Sequence, residues 1–207
     1  MEPRSRDEDL RKQEPQWIQQ ALLGDTEAFV ELIELYQRSV FNLCYRMLGT
    51  LEDAEDAAQE TFLRAFHSLR QYDPARPFAT WLLSIAAHYC IDQIRKRRMV
   101  IFSLEDLPEP EFASHDPPLE TTVGIREDQQ KIQQLLKTLS EVDRAVVVLY
   151  YWYDLSYEEI AKTLSLSVSA IKSRLHRARR ALANSWLKRY PATFQEADRK
   201  GYESPVF

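Results

Sequence analysis

Apolar residues in this chain recur every three or four positions over long stretches, the spacing of one face of an α-helix. Ile18 and Leu22 open the pattern. After a break at Gly24-Asp25 it resumes with Phe29, Leu32, Ile33, Tyr36, Val40, Leu43 and Met47. Gly49-Thr50 ends that helix, and Thr50 with Asp53 three residues on reads as the N-cap of the next, over roughly 51–70. Two prolines make the segment 71–77 a loop, because each disfavours helix in the residue before it. A long helix is expected from 78 to 98.

The pattern lapses over 101–126, where Pro108, Pro110, Pro117, Pro118 and many acids stand. It returns with Ile132, Leu135, Leu136 and Leu139. Ser140 caps a helix carrying Val142, Ala145, Val146, Leu149, Tyr150 and Trp152. Ser156 and Glu159 form a capping box before Ile160, Ala161 and Leu164, and Ser167 caps a last helix with Val168, Ile171, Leu175, Ala178 and Leu182 inward. The chain thus divides into a disordered arm (1–15), a helical domain (16–100), an extended acidic linker (101–126), a second helical domain (127–190) and a tail (191–207) without periodicity.

Composition narrows the fold class to all-α: two small helical domains joined by the linker. The 207 residues include only four glycines, too few for a fold built on tight hairpins or phosphate-cradling loops. Cys44 and Cys90 make neither a metal-type pair nor a disulfide framework. The N-terminus has no apolar core of the signal-peptide kind, and no window approaches 18 uninterrupted apolar residues, so a cytoplasmic protein without membrane insertion is expected.

The net charge of −5 hides an uneven distribution. Residues 67–98 carry 6 Lys/Arg against 2 Asp/Glu, and residues 167–190 carry 7 against none. Solvated helix faces account for the acidic segments but not for 24 residues lacking any acid. The second basic patch coincides with two helices joined by the three-residue turn 165–167, the length of a helix-turn-helix. Its outward positions are Ser169, Ala170, Lys172, Ser173, His176, Arg177, Arg179 and Arg180, types that read base edges and phosphates. The turn has no glycine where many such motifs have one.

Five segments, in order, resemble the extracytoplasmic-function (ECF) sigma factors of the sigma-70 family. They are Asp53-Ala-Glu-Asp-Ala-Ala-Gln-Glu-Thr-Phe-Leu-Arg64, Phe78-Ala-Thr-Trp-Leu-Leu-Ser-Ile-Ala86, Ile91-Asp-Gln-Ile-Arg-Lys-Arg-Arg98, Leu149-Tyr-Tyr-Trp-Tyr-Asp-Leu-Ser-Tyr-Glu-Glu-Ile-Ala161 and Val168-Ser-Ala-Ile-Lys-Ser-Arg-Leu-His-Arg-Ala-Arg179. The likeness covers about 16–100, as a region 2-like domain, and 127–188, as a region 4-like one. It implies a promoter-recognition subunit that binds core RNA polymerase and helps melt DNA, with no catalytic residues, cofactor, metal or small-molecule substrate of its own. It also implies the partners: the β′ clamp helices and β subunit of the polymerase, promoter DNA and an anti-sigma factor.

By the same resemblance, Asp56, Gln59, Glu60 and Leu63 bind core polymerase. They share one helix face at i, i+3, i+4 and i+7. Tyr72, Arg76, His88, Tyr89, Asp92, Arg95, Lys96, Arg97 and Arg98 are assigned to the −10 element, where a flipped base needs a pocket, stacking surface and basic track. Phe78, Trp81 and Leu82 are read as core. Ser169, Lys172, Ser173, Arg174, His176, Arg177, Arg179 and Arg180 are assigned to the −35 element. An autonomous helix-turn-helix regulator with an N-terminal sensor or dimerisation domain is the competing reading. Such a domain has no need of the basic run at 95–98. An enzyme is disfavoured: His88 and Cys90 lie on different helix faces, and Ser84 or Ser173 lacks any oxyanion loop.

Overall fold

The computed structural model describes residues 3–104 and 123–190, with side chains over 10–100 and 128–190. Among them there are eight α-helices and no strand. The order is α1 (Pro3–Leu22), α2 (Thr26–Leu48), α3 (Leu51–Ser68), a 3-10 turn (Leu69–Gln71), α4 (Phe78–Leu104), α5 (Val123–Leu136), α6 (Glu141–Tyr153), α7 (Tyr157–Thr163) and α8 (Val168–Arg189).

The helix starts are fixed by the residues that the sequence marks. Asp25 accepts from the backbone N–H of Glu27 and Ala28 at the head of α2. Thr50, Ser140, Ser156 and Ser167 cap α3, α6, α7 and α8, and Glu159 closes the capping box on Ser156. Gly49 ends α2 at φ 93°, a left-handed backbone that a side chain would strain.

Helix α1 departs from expectation. It begins at Pro3, so residues 3–15 are helical and do not form a disordered arm. The apolar stripe of Trp17, Ile18 and Ala21 extends back to Leu10, which packs on the core, and Tyr36 Oη donates to Glu14 Oε1 at 2.6 Å. Charged neighbours conceal that single leucine in the sequence. The ends of the expected linker are helical too, since α4 runs to Leu104 and α5 opens at Val123. Residues 105–122 and the tail 191–207 lie outside the described residues.

Helix α2 is the central element, packed by α1, α3 and α4. Val40, Leu43, Cys44 and Met47 are fully sequestered on it. Small buried residues on α3 (Ala54, Ala57, Ala58, Thr61 and Ala65) let it approach closely. Cys44 on α2 and Cys90 on α4 are buried and free of disulfides. The neighbouring Cys44 thiol, together with burial, pushes Cys90 well above the usual thiol range.

The second helical block packs against α2 and α4, and both blocks share one apolar core. Helix α6 explains why. Six consecutive residues, Arg144 to Leu149, are buried, so it is enclosed on every side, between α7 and α8 and the first block. The inward set expected from periodicity has one face only, without Val147 and Val148. Ile132, expected inside, is 39% exposed, and Gln133 is buried beside it.

Candidate nucleic-acid interface and core-binding face

The small residues of α3 face inward, and this turns Asp56, Gln59 and Leu63 outward. Glu60, half-exposed, pairs with Arg64 at 2.7 Å, and the Arg64 guanidinium lies over the Tyr89 ring at 4.8 Å. Leu63 is 56% exposed and Phe66 45%, an apolar edge along an acidic helix. A groove lined by Ile33, Arg38, Phe41, Glu55, Gln59 and Phe62 adjoins this face.

The loop before α4 corrects one assignment. Tyr72 is buried, its ring packed edge-on against Phe78 and tilted on Trp81. Its hydroxyl donates to the Arg76 carbonyl at 2.5 Å, which fixes the turn. Tyr72 is therefore core with Phe78 and Leu82, and no face of it is free to stack on a base. Arg76 is exposed, with Asp73 3.9 Å away.

Along α4, His88, Asp92, Arg95 and Lys96 are exposed or half-exposed, and their spacing gives one continuous surface. The His88 ring nitrogen Nδ1 lies 2.8 Å from the Ser84 carbonyl, which orients the imidazole. Tyr89 is half-buried under Arg64. Arg97 clasps Asp53 through two hydrogen bonds, one of 2.7 Å from Nη1 to Oδ2, tying α4 to the first turn of α3. Arg95 Nε donates to Glu141 Oε1 at 3.0 Å, reaching into the second block.

In the second block, Ile160, Ala161, Leu164, Ile171 and Leu175 are buried between α7 and α8, and the small Ala161 lets the helices cross closely. Ser165 holds the turn at φ 54°, the left-handed conformation that glycine takes at no steric cost. Ser169, Lys172, Ser173, His176, Arg177 and Arg180 are exposed on α8. No acid stands in its first turn, so the positive end of the helix faces outward unopposed. Arg174 and Arg179 differ. Arg174 Nη1 donates to Asp143 Oδ1 at 2.8 Å and braces α8 on α6. Arg179 lies against Tyr150 and Tyr151 and donates to the Tyr151 hydroxyl at 2.8 Å. These two arginines hold the fold, and the remaining six expected residues form the exposed face.

Three side chains without an expected role join the blocks: Arg144, Gln133 and Tyr153, which donate to the carbonyls of Met47 (2.5 Å), Tyr45 (3.1 Å) and Ser39 (2.5 Å). Arg144 is visible in the sequence as the charge that abuts the apolar run 145–149. Nothing local points to the others. Among the described residues, no group of three or more His, Cys, Asp or Glu is placed to hold a metal ion.

Comparison with known proteins agrees with this geometry. The family profile for Sigma-70 region 2 matches residues 32–99, and that for Sigma-70, region 4 matches 129–182. The ECF RNA polymerase sigma factor SigW of Bacillus subtilis is 36% identical over 173 residues, covering 80% of this chain and 92% of that one. The ECF RNA polymerase sigma factor SigE of Mycolicibacterium smegmatis is 36% identical over 169 residues, covering 81% and 65%. The structure of CnrH in complex with the cytosolic domain of CnrY superposes with a TM-score of 0.60 at 27% identity, covering 81% of this chain and 93% of that one. An autonomous regulator would need only the second region. With both regions present in order and flanking the same basic surfaces, the chain belongs to the sigma-70 family as an ECF sigma factor, a transcription initiation factor that directs RNA polymerase to promoters.

Proposed function

We propose a division of labour among three surfaces. The α3 face of Asp56, Gln59, Glu60 and Leu63 docks on the coiled-coil β′ clamp helices. An acidic rim around an exposed leucine suits a basic helical partner. The α4 surface of His88, Asp92 and Arg95–Arg98, with Arg76 at its head, takes the melted −10 strand. The exposed face of α8 reads the −35 duplex in the major groove, with Lys172, Ser173, His176 and Arg177 at the bases and Arg180 at the backbone.

The observation that carries this reading is the presence of two separate basic surfaces in one chain, one on a major-groove helix and one beside an aromatic loop. The two helical blocks act as the domains 16–100 and 127–190, joined through 101–126. The protein works where RNA polymerase works, in the cytoplasm, and does no chemistry itself. Among the described residues, no helix is long and apolar enough to cross a membrane. An anti-sigma partner is part of the proposal, supported by the likeness to CnrH, whose solved complex contains CnrY.

In vitro transcription with core polymerase tests the whole. Core plus this chain should give open complexes at promoters that core alone ignores. Equal promoter occupancy by the chain without polymerase would return the reading to an autonomous regulator.

A further inference from the structure

The end of α6 and the start of α7 fold back on each other. Asp154, at φ 53°, closes α6, and the Leu155 N–H returns to the Leu149 carbonyl at 3.3 Å. Ser156 then caps α7. The reversal lays the Tyr157 ring against the Tyr150 ring, with centroids 5.5 Å apart and planes 13° from parallel. Tyr151 meets Tyr150 edge-on at 5.0 Å.

Two cations of α8 close on this stack. The Lys172 ammonium lies 5.7 Å from the centre of the Tyr157 ring, and the Arg179 guanidinium 5.5 Å from that of Tyr150. They stand at i and i+7, so they share one side of α8 with two turns, about 10.5 Å, between them. Arg179 also donates to the Tyr151 hydroxyl at 2.8 Å, which fixes the far end of the row. Lys172 itself is exposed and adjoins Ser169 and His176 of the −35 face, three residues before it and four after.

The cations of α8 are thus held in two different ways. Arg174, half-buried, pairs with the Asp143 carboxylate, and the pair is neutral. Lys172 meets an aromatic face, and residues 167–190 contain no acid that could pair with it from its own helix. A ring face restrains a cation without cancelling its charge, so the ammonium keeps its attraction for phosphate and its donors for base acceptors. Without that restraint, the flexible four-carbon stem of lysine samples many rotamers, and a base contact has to order it at the moment of binding.

We propose that Tyr157 is a positioning residue for −35 recognition: stacked on Tyr150, which Arg179 secures from the other end, its ring holds the Lys172 ammonium at the edge of the recognition helix, so that α8 enters the major groove with this cation already placed. The proposal rests on the assignment of α8 to the −35 duplex. Tyr157 touches no base in this role and acts through Lys172.

The test reads the stack and the promoter separately. Reductive methylation of the full chain with isotope-labelled formaldehyde leaves each lysine cationic and visible by NMR. One dimethyl-lysine resonance should be displaced upfield by the Tyr157 ring current, and Lys172→Arg should remove it. Holoenzyme assembled with each variant then goes through −35 library selection. Tyr157→Leu should reduce discrimination about two- to fivefold, the effect of losing an exposed cation–π contact, and only at the positions that Lys172→Ala relaxes. Tyr157→Phe keeps the ring and should retain the wild-type preference. Tyr157→Leu combined with Lys172→Ala should relax preference no further than Lys172→Ala alone. An undisplaced resonance, a Tyr157→Leu preference equal to wild type, uniform weakening at every −35 position, or a Phe variant as relaxed as the Leu variant would overturn the positioning role. The resonance is read on unsubstituted chain, so the proposal stays open to refutation should Tyr157→Leu fail to fold. A displaced resonance with a −35 preference indifferent to Lys172→Ala would instead overturn the base-reading assignment of Lys172, and the positioning role with it.

Discussion

Arg97 and Asp53 face each other across the join of α4 and α3, the guanidinium donating to both carboxylate oxygens. Thr50, the cap of α3, donates to the same carboxylate at 2.5 Å. One acid therefore helps start a helix and holds an arginine of the basic track.

That hydrogen bond from Arg97 holds the Asp53 carboxyl below the usual carboxylate range, against the opposing effect of partial burial and with help from Thr50. A depressed folded pKa gives stability that is present above the unfolded value, near ~4, and is lost as pH falls through the lower folded value. Asp53→Asn should therefore flatten the acid limb of a pH-stability curve. At neutral pH the cost should be about 1 kcal/mol or less, since Arg97 is half-exposed. An acid limb identical to wild type in urea melts would contradict this role.

Reversing charge at Asp56 and Glu60 should abolish binding to core polymerase while thermal unfolding stays near wild type. Both side chains lie outside the buried set, and Glu60 loses only its pair with Arg64. Pull-down with core and a melting curve on the same preparation check the two halves.

Arg177→Ala and Arg174→Ala should separate reading from bracing. The first removes an exposed side chain and should relax −35 preference at one or two positions by about 1–3 kcal/mol if the base contact is bidentate. The second breaks the pair with Asp143 and should lower stability, with little change in which bases are preferred. Promoter-library selection and calorimetry on both variants test the split.

Tyr72→Phe should cost about 1 kcal/mol of stability through loss of the bond to the Arg76 carbonyl. The −10 preference should stay as it is, because the ring remains in the core. A shifted −10 preference without destabilisation would restore Tyr72 to the DNA surface.

Ser165→Gly should stabilise the protein, by about 0.5–1 kcal/mol, by relieving a left-handed residue in the helix-turn-helix turn. The absence of glycine from this turn thus leaves strain in the backbone at Ser165. A lowered midpoint in thermal melts would show that the serine side chain contributes more than its backbone costs.

Local features are legible in the sequence. Caps at Thr50, Ser140, Ser156 and Ser167 act within three residues, so the sequence displays both partners. The helix-turn-helix and the exposed faces of α3 and α8 follow from periodicity in the same way. Pairings across long separations are not legible. Arg95 with Glu141 spans 46 residues and Tyr153 with Ser39 spans 114, and no periodicity encodes them. Tyr72 fails for a different reason. An aromatic in a loop suits a stacking platform and a core plug equally, and only the positions of Phe78 and Trp81 decide between them.

The buried, free thiols of Cys44 and Cys90 give the chain a built-in reporter of its own breathing. Neither sulfur can meet an alkylating reagent while α2 and α4 stay packed, so the rate at which the pair is modified counts openings of the first block itself. With fast reagent that rate approaches the unfolding rate, and with slow reagent it follows the open population. Cysteines introduced on the surface for labelling can therefore be derivatised first, with the native pair left as an internal clock.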